Sequence, residues 1–419
     1  MHQELSTKYT NHPKPNHMIP VSEAIGLVKA QITPLPAESV QLTEAVGRFL
    51  ARDVAADSDL PPFDRSQMDG YAVRAADVAQ TPARLKIVGE SAAGRGWREE
   101  MQAGEAVRIM TGAPVPKGAD SVQQVELTRE VNGDEVEILE PVSLGRSIVK
   151  RGDEIKKGAV VLRAGDRINS AAVAVLASFG CARVEVGKRP RVSVLATGSE
   201  LVSVDEQPGA DQIRDSNNYT IGAYAREAGA EVELLPLAGD DTALLKQQIS
   251  EAASRSDIVI TSGGVSVGVY DFTKAALREL RAEIFFERVK LRPGKPAVFA
   301  KLPDGPLFFG LPGNPVSVSV TFSLFARAAI LAMQGATETD LQTSSAALGR
   351  AVKGSAGRES YLPATLKTDE DARLIAEPLK WGGSSDFVGF TRATALIVVP
   401  QDAGTVDAGS IIRILHLPQ

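Results

Sequence analysis

The chain has 419 residues, of which 43% are hydrophobic, and a formal net charge of −6. This length and composition predict several domains with large cores, and the acidic balance excludes a general nucleic-acid binder, because affinity for the phosphate backbone requires a basic surface. The single cysteine, Cys181, excludes an internal disulfide and a cysteine-cluster metal site.

The four histidines lie near the two ends of the chain, at positions 2, 12, 17 and 416. Their placement excludes a serine–histidine–aspartate triad and a histidine-rich zinc site in the body of the protein. A catalytic metal would therefore need oxygen ligands, which favours Mg²⁺.

Residues 1–18 are polar and lack the apolar segment of a signal peptide, which predicts a disordered tail and a cytoplasmic protein. The longest apolar run, Val316–Met333, is interrupted by serines and by Arg327. This pattern predicts a helix packed inside the protein, so we expect no membrane partner.

The first elements along the chain are two helices, because apolar residues recur at helical spacing in Val21–Ala30 and in Leu42–Ala51. Short strand-like runs follow, and a further helix is predicted over Ala171–Ala177. The pattern predicts a split helical domain, residues 19–57 plus 151–187, with an inserted β-rich domain, residues 58–150.

Strands then alternate with helices over residues 188–336, which predicts an α/β domain with a doubly wound parallel sheet. Short strands separated by turns over residues 340–419 predict a C-terminal β-barrel, or a sandwich. The predicted fold class is therefore a multidomain α/β protein.

Five loops follow the strand-like runs of the α/β domain. The carboxyl ends of parallel strands share one edge of a sheet, so we expect these loops to converge on one crevice. Their carboxylates, cations and backbone amides suit a phosphorylated ligand with a hard metal ion. The loops are Thr197–Glu200, Gly239–Asp241, Ser262–Gly268, Arg292–Lys295 and Pro312–Pro315.

Two of these loops offer backbone amides to an anion. Glycines in Ser262–Gly268 permit close approach of a ligand, although a purely structural turn is an alternative because no Gly-Lys-Ser/Thr closes the loop. Asn314 is placed to cap a helix that begins at Pro315, which leaves first-turn amides for an anion; ordinary helix initiation is the alternative.

Basic residues lie between these two loops. On one strand of period two, Arg288, Lys290 and Arg292 would share a face, and Lys295 follows the next glycine. Charge runs are usually solvated surface, but three aligned cations in an acidic protein favour binding of a phosphate or another oxyanion.

Three carboxylates stand at or just after strand ends: Glu200, Asp240 and Asp271. Each alone is an ordinary cap or turn residue. Together, beside phosphate-binding loops, they fit Mg²⁺, which takes one or two carboxylates plus phosphate oxygens.

Five motifs complete the pattern, in the order Ser66–Ala72, Ile109–Pro116, Ser262–Gly268, Lys290–Pro296 and Gly310–Ser317. In this order they resemble the molybdopterin molybdenumtransferase family, which comprises the bacterial MoeA proteins and the gephyrin E domain. The resemblance covers residues 19–419.

The resemblance implies an elongated homodimer with a split helical domain, an inserted β domain, an α/β domain like that of molybdopterin adenylyltransferases and a C-terminal β-barrel. It implies that the substrates are adenylylated molybdopterin and molybdate. The adenylate is hydrolysed with Mg²⁺, molybdenum is placed on the dithiolene and AMP is released. The site would form across the dimer interface.

The resemblance also implies roles for single residues. Catalytic roles fall on Asp69, Thr111, Glu200, Asp240 and Asp271, of which the last three hold Mg²⁺ or orient the attacking water. Binding roles fall on a larger set: Ser262, Gly263, Gly264, Ser266, Gly268, Arg288, Lys290, Arg292, Lys295, Pro312, Gly313, Asn314, Arg358 and Ser384.

The chain departs from the family pattern at three places. Gly152-Asp153-Glu154 stands where the family often has Gly-Glu-Asp, Ser199 stands where many members have Asp, and Arg292 replaces a common lysine. These departures affect positioning and anion preference more than reaction class. Molybdate and tungstate are not distinguished by the sequence, because the two oxyanions are nearly the same in size and charge.

Two alternative functions remain. A molybdopterin adenylyltransferase shares the α/β domain and would consume ATP, but the β-rich segments argue against it. A non-catalytic dimeric scaffold would not need the acidic and basic loop residues. A molybdopterin adenylyltransferase and molybdoenzyme-maturation proteins are the expected partners besides a second copy of the chain.

Overall fold

The computed structural model describes residues 17–239, 241–264, 272–380 and 382–418. The chain divides into two compact units. The smaller unit consists of Arg52–Ala164 and Ser170–Ala182. The larger unit takes in the described residues up to Ala51, Gly165–Asn169 and the described residues from Arg183 onwards. The finer division into domains stays a prediction.

The smaller unit is built on a six-stranded, mostly antiparallel sheet. Residues alternate between its two faces: Tyr71 and Val73 enter one core, and Ala72 enters the other. Across the sheet its strands are Ser121–Gln124, Gly70–Val73, Glu105–Ile109, Ala83–Ser91, Glu135–Ile138 and Thr128–Val131. Short pairings and one helix complete the unit: Val54–Ala55 with Val160–Leu162, Arg65–Ser66 with Ile148–Val149, and the helix Ser170–Ser178.

The larger unit begins with the helix Val21–Ala30, which has the predicted bounds. The predicted helix over Leu42–Ala51 is wrong, because only the turn Leu42–Glu44 is helical. Gly47 adopts a φ of 82°, which ends helical continuation. Leu50 then pairs with Val186, beside the antiparallel strands Ala37–Gln41 and Arg183–Gly187.

The α/β domain contains a six-stranded sheet. Four parallel strands, in the order Glu231–Leu234, Arg191–Ala196, Ile258–Ser262 and Leu307–Leu311, form the doubly wound part. Two antiparallel strands, Pro296–Lys301 and Glu283–Arg288, extend its edge. The predicted α/β alternation is confirmed, and the antiparallel edge makes the sheet mixed.

Helices cover both faces of this sheet. Ile221 of the helix Asn217–Glu227 packs in one core with Val194. Leu245 of the helix Thr242–Ala253 packs in the other core with Leu195, as does the helix Phe272–Glu279. Neighbouring residues of one strand thus serve opposite cores, as expected for a doubly wound sheet.

The run Pro315–Met333 is helical and contains a π-helical turn at Phe322–Ala326. Its length and mean hydropathy of 1.8 would allow it to cross a membrane, but 89% of its most apolar window is buried inside the protein. The helix packs in the same core as Val194 and Phe309. It is a core helix of the α/β domain, as its serines and Arg327 predict.

The C-terminal strands close into a five-stranded barrel. Glu359–Thr368 pairs with both Leu374–Pro378 and Ala395–Val399, and the circle is completed by Ile411–His416 and Thr343–Leu348. The barrel encloses its own apolar core. The predicted barrel is therefore confirmed, and the alternative of a sandwich is wrong, because every one of these strands has a neighbour on both sides.

The segment from Arg288 to Arg292 links the two sheets. Arg288 ends a strand of the α/β sheet, whereas Leu291–Arg292 joins the barrel by pairing with Glu359 and Ser360. Between them, the N–H of Leu291 donates to the carbonyl of Val289 in a tight turn, 2.8 Å. The prediction that Arg288, Lys290 and Arg292 share one face of a single strand is therefore wrong.

Candidate active site

A cleft of about 1660 Å³ lies at the carboxyl ends of the parallel strands, between the α/β domain and the barrel. Loops that follow Arg191–Ala196, Ile258–Ser262 and Leu307–Leu311 line one side, as expected for an α/β sheet. Eleven of the proposed site residues line it: Glu200, Ser262, Gly263, Gly264, Arg292, Lys295, Pro312, Gly313, Asn314, Arg358 and Ser384.

The other proposed residues are not brought to this cleft by the described structure. Arg288 and Lys290 are not among the lining residues, because the tight turn separates them from Arg292. Asp69 and Thr111 belong to the smaller unit. Asp240, Ser266, Gly268 and Asp271 lie outside the described residues.

The glycine loop after Ile258–Ser262 lies against the loop that follows the neighbouring strand. Gly263 and Gly264 have φ values of 87° and 63°. A Cβ on Gly263 would lie 2.3 Å from the carbonyl oxygen of Thr197. Both the backbone conformation and this close approach require glycine, so the loop presents backbone, not side chains, to the cleft.

Asn217 was missed by sequence reasoning, and it joins two of the predicted loops. Its Nδ2 donates to the Ser262 hydroxyl and to the Gly313 carbonyl, both at 2.7 Å. Its Oδ1 is buried and has no hydrogen-bond partner within the described structure. Asn217 thus links the loop after Ile258–Ser262 to the loop after Leu307–Leu311 and leaves one buried acceptor beside them.

The loop Gly382–Ser385 of the barrel closes the cleft against the start of the helix at Pro315. The predicted side-chain cap by Asn314 is wrong: its Nδ2 donates to the Ser384 hydroxyl, 2.9 Å, and makes no capping bond. The Ser384 carbonyl instead accepts the N–H of Val316, 3.0 Å. One first-turn amide is therefore occupied by protein, and Ser384 is held at the cleft by two contacts.

The same barrel loop is held by Asp386. Its carboxylate accepts N–H groups from Gly382, 2.8 Å, and Gly389, 2.9 Å. These two bonds hold the pKa of Asp386 below its usual value. Asp386 caps the short helix Phe387–Phe390, whose first residue exposes half of its surface and lines the cleft.

The cleft is cationic although the chain is acidic. Among its described lining residues, six are basic and two are acidic. The basic residues are Arg214, Arg292, Lys295, Arg350, Lys353 and Arg358. Arginine guanidinium groups match the geometry of tetrahedral oxyanions, so this excess of positive charge suits a phosphorylated ligand.

The two acidic residues of the cleft differ in environment. Glu200 is exposed, whereas only 3% of Asp215 is exposed. Burial raises the pKa of Asp215, and N–H groups of Asn218 and Asn217 oppose this rise. Glu200 is thus the accessible carboxylate among the described lining residues.

Glu200 is the candidate metal ligand of the described cleft. Within the described residues no group of three or more histidine, cysteine, aspartate or glutamate side chains is placed to hold a metal ion. Mg²⁺ commonly takes one or two carboxylates and completes its shell with water and substrate phosphates. Glu200 lines the cationic cleft and is a carboxylate that such an ion could use, while Asp240 and Asp271 lie outside the described residues.

The predicted loop Gly239–Asp241 has a structural role in its described part. Gly239 and Asp241 are absent from the lining of the cleft. Asp241 caps the helix Thr242–Ala253, because its Oδ1 accepts the N–H groups of Ala243, 2.8 Å, and Leu244, 3.2 Å. This is the ordinary use of an aspartate before a helix.

In the smaller unit, the structure brings Asp69 and Thr111 together although 42 positions separate them. Asp69 Oδ1 accepts both the N–H of Thr111, 2.6 Å, and its hydroxyl, 2.8 Å. These bonds hold the pKa of Asp69 below its usual value. The pair is an ionised carboxylate with a fixed hydroxyl partner.

Glu154, which belongs to one of the three departures from the family pattern, also lies in the smaller unit. Its carboxylate forms an ion pair with Arg65 Nη2, 3.0 Å. Neighbouring Asp64 accepts from Lys150 Nζ and from the N–H of Arg151, both at 2.8 Å. The longer Glu154 side chain thus has a basic partner within this network.

Comparison with known families matches the chain in three consecutive segments. Residues 19–180 match the MoeA N-terminal region (domain I and II), residues 193–332 a probable molybdopterin binding domain, and residues 345–417 the MoeA C-terminal region (domain IV). The fold and cleft therefore define a multidomain protein built around a molybdopterin-binding type of α/β domain.

Similar proteins extend over nearly the whole chain. The molybdopterin molybdenumtransferase of Haemophilus influenzae is 36% identical over 91% of this chain and 94% of its own length. That of Staphylococcus aureus strain Mu50 is 36% identical over 95% of each chain. The molybdopterin biosynthesis moeA protein of Pyrococcus horikoshii OT3 superposes with a TM-score of 0.83, at 30% identity over 96% of this chain and 100% of its own. The chain belongs to the MoeA family of molybdopterin molybdenumtransferases.

Proposed function

We propose that this protein is a transferase of molybdenum cofactor biosynthesis, which inserts molybdenum from molybdate into adenylylated molybdopterin and releases AMP. The observation that carries the proposal is the cationic cleft. It gathers eleven of the residues to which the family resemblance gives a role, on a chain that matches the family in all three segments.

Each side of the cleft suits one part of this reaction. Arg292, Lys295 and Arg358 would neutralise the phosphates and molybdate through charge-assisted hydrogen bonds. Gly263 and Gly264 line the cleft without side chains, which favours close approach of a phosphate to their backbone. Asn217 keeps the glycine loop at a fixed distance from Gly313, so the anion contacts are pre-organised before substrate binds.

Mg²⁺ would be held by Glu200, with Asp240 and Asp271, and would neutralise charge on the substrate phosphates. The test is an assay that measures the release of AMP from adenylylated molybdopterin. We expect release to require both molybdate and Mg²⁺ and to fall about a hundredfold or more in Asp240→Ala and in Asp271→Ala, as for the removal of a stabilising group at a reacting phosphate. AMP formation that is indifferent to both substitutions would contradict the metal assignment.

The same assay distinguishes the adenylyltransferase alternative. A molybdopterin adenylyltransferase would consume ATP, whereas the proposed reaction needs none. Repeating the assay with tungstate in place of molybdate would test anion preference, for which Arg292 is the residue to examine because its planar group replaces a common lysine.

We further propose that the protein acts in the cytoplasm as a homodimer, with a molybdopterin adenylyltransferase and molybdoenzyme-maturation proteins as partners. The motif resemblance supports the dimer, because it implies sites shared between subunits. Sedimentation would measure the dimer directly. Mixing an Asp69→Ala protein with an Arg292→Ala protein should restore activity if subunits share sites, and failure to restore it in exchanging dimers would contradict sharing.

A further inference from the structure

A second cavity, of about 290 Å³, lies away from the cleft. Gly47, Arg167, Tyr224, Glu227, Ser323 and Arg327 are among its lining residues. The helical run that begins at Pro315 contributes to both: Ser317 lines the cleft, and Phe322, Ser323 and Arg327 line this cavity. The two share no described lining residue, so the cavity is distinct from the proposed transferase site.

Two guanidinium groups without a carboxylate partner define its charge. Within the described structure, no ion pair of 4.0 Å or less joins Arg167 or Arg327 to a carboxylate. Arg327 is partly buried, and its Nη1 donates to the carbonyl of Thr339, 3.0 Å. Burial, and then the like charge of Arg167, lower the pKa of Arg327, while Asp340 opposes them. A bound anion would relieve the repulsion between the two cations.

The π-helical turn Phe322–Ala326 shapes the wall beside Arg327. Phe322 and Ser323 of this turn line the cavity, and Phe322 stacks on Tyr224 with ring centroids 5.4 Å apart. A π-helical turn interrupts regular α-helical bonding, and such turns occur frequently at functional sites. Here Ser323 of the turn and Arg327, the residue that follows it, line the same cavity.

We propose that this cavity binds a small tetrahedral oxyanion between Arg167 and Arg327, with the Ser323 hydroxyl as a further donor. The class is that of phosphate and sulfate, whose oxygens match the planar donor set of arginine. Glu227 is exposed and is the acidic residue among the described lining residues, so its negative charge opposes the binding of an anion there.

The test is equilibrium dialysis of radioactive sulfate against the full-length protein at constant ionic strength. Arg292→Ala serves as the background in which the cleft is weakened. In that background we expect Arg327→Gln or Arg167→Gln to lower sulfate affinity about tenfold or more, as for the loss of one hydrogen bond to a charged group. Arg226→Gln, the same charge change on a neighbouring exposed residue that does not line the cavity, should leave affinity unchanged.

A second variant keeps the proposal testable if the arginine variants fold poorly. Glu227→Gln removes the opposing negative charge, so sulfate should bind more tightly than in the parent protein. Unchanged or weaker binding in Glu227→Gln would overturn the proposal, as would equal losses in Arg327→Gln and Arg226→Gln. If Arg327→Gln instead changes the oligomeric state in sedimentation without changing sulfate affinity, the cavity is a contact between copies of the chain and the anion site is wrong.

Discussion

Asn217 connects loops that are distant in sequence, since its partners Ser262 and Gly313 lie 45 and 96 positions away. Replacement by alanine removes both hydrogen bonds. We expect Asn217→Ala to lower the free energy of unfolding by about 1 to 3 kcal/mol and to weaken binding of AMP, because the loops would no longer be held at a fixed spacing. Urea unfolding and calorimetric titration with AMP measure the two effects.

Gln247→Ala is the matched control for this substitution. Gln247 donates to Glu251 on an exposed helix surface, 2.8 Å, and does not line the cleft. Its loss should change neither quantity appreciably. If Asn217→Ala behaves like Gln247→Ala in both measurements, Asn217 does not position the loops.

Asp215 makes the stability of the folded protein depend on pH, and the direction of its raised pKa gives the sign of that dependence. Burial raises its pKa in the folded protein, so the folded state holds this proton at pH values where the unfolded chain has lost it. Stability from this group is therefore lost as pH rises from the ordinary aspartate pKa to the raised folded value, and is constant above that. We expect wild-type protein to lose stability relative to Asp215→Asn as pH rises from about 4, measured by urea unfolding at successive pH values.

Asp205, ten residues before Asp215, is a control, because its contribution to stability should change with pH in the opposite direction. A hydrogen bond from Ser203 lowers its pKa, so its ionised form favours the folded state and any contribution appears as pH rises. The difference between wild type and Asp205→Asn should therefore have the opposite slope, and a small one, because the group is exposed. Equal slopes for the two variants would show that burial of Asp215 does not govern its titration.

A residue of the cleft could be predicted from the sequence when it directly follows a strand of the parallel sheet. Glu200 follows a strand-like run, and the topology of a parallel sheet brings such a position to one edge. Arg292 also lines the cleft, but it lies in the short strand Leu291–Arg292 that pairs with the barrel, which the sequence pattern did not predict. Asn217 was not predictable, because one asparagine at the start of a helix is an ordinary residue there and its partners are set by tertiary structure. Asn314 looked like a cap for the same local reason, but the barrel loop provides Ser384 as a competing partner.

At the scale of elements, a substitution in the glycine loop after Ile258–Ser262 should affect both stability and ligand binding. In Gly263→Ala the new Cβ would meet the Thr197 carbonyl oxygen at 2.3 Å, and φ is already positive. Either the loop or its neighbour must move. We expect a loss of about 2 to 4 kcal/mol in unfolding free energy and weaker AMP binding, measured by urea unfolding and titration.

Gly409→Ala separates the steric effect from the backbone effect. Gly409 has a φ of 82°, but a Cβ there would have no neighbour within 4 Å. Alanine at this position meets only the cost of a left-handed conformation, about 1 to 2 kcal/mol, and AMP binding should be unchanged. A Gly263→Ala protein no less stable than Gly409→Ala would contradict the close packing of the two loops.

Two elements show why local pattern is insufficient. Leu42–Ala51 has helical spacing of apolar residues, but Gly47 turns with positive φ and Leu50 is used in strand pairing with Val186. The basic segment alternates like one strand, yet the tight turn at Lys290 passes the chain from one sheet to another. In both cases long-range pairing overrides the local preference.

At the scale of the whole molecule, alternation of strands and helices was sufficient to predict the α/β domain, and short strands from residue 340 onwards to predict the barrel. Closure of the barrel depends on pairings between strands that are distant in sequence, such as Thr343–Leu348 with Ile411–His416. The periodicity of apolar residues does not reveal which strands pair. The cationic character of the cleft likewise required the structure, because Arg214, in the short strand Ile213–Arg214, and Arg350 and Lys353, in a distant barrel segment, lie outside the predicted loops.

The most direct test is molybdate-dependent AMP release by wild type, Arg292→Ala and Arg373→Ala in parallel. Arg373 is an exposed barrel arginine that does not line the cleft. Arg373→Ala therefore removes the same charge as Arg292→Ala without changing a cleft residue. We predict that wild type and Arg373→Ala release AMP only with molybdate present, and that Arg292→Ala is slower by about a hundredfold. AMP release without molybdate, or an Arg292→Ala protein as active as wild type, would contradict molybdenum transfer at this cleft.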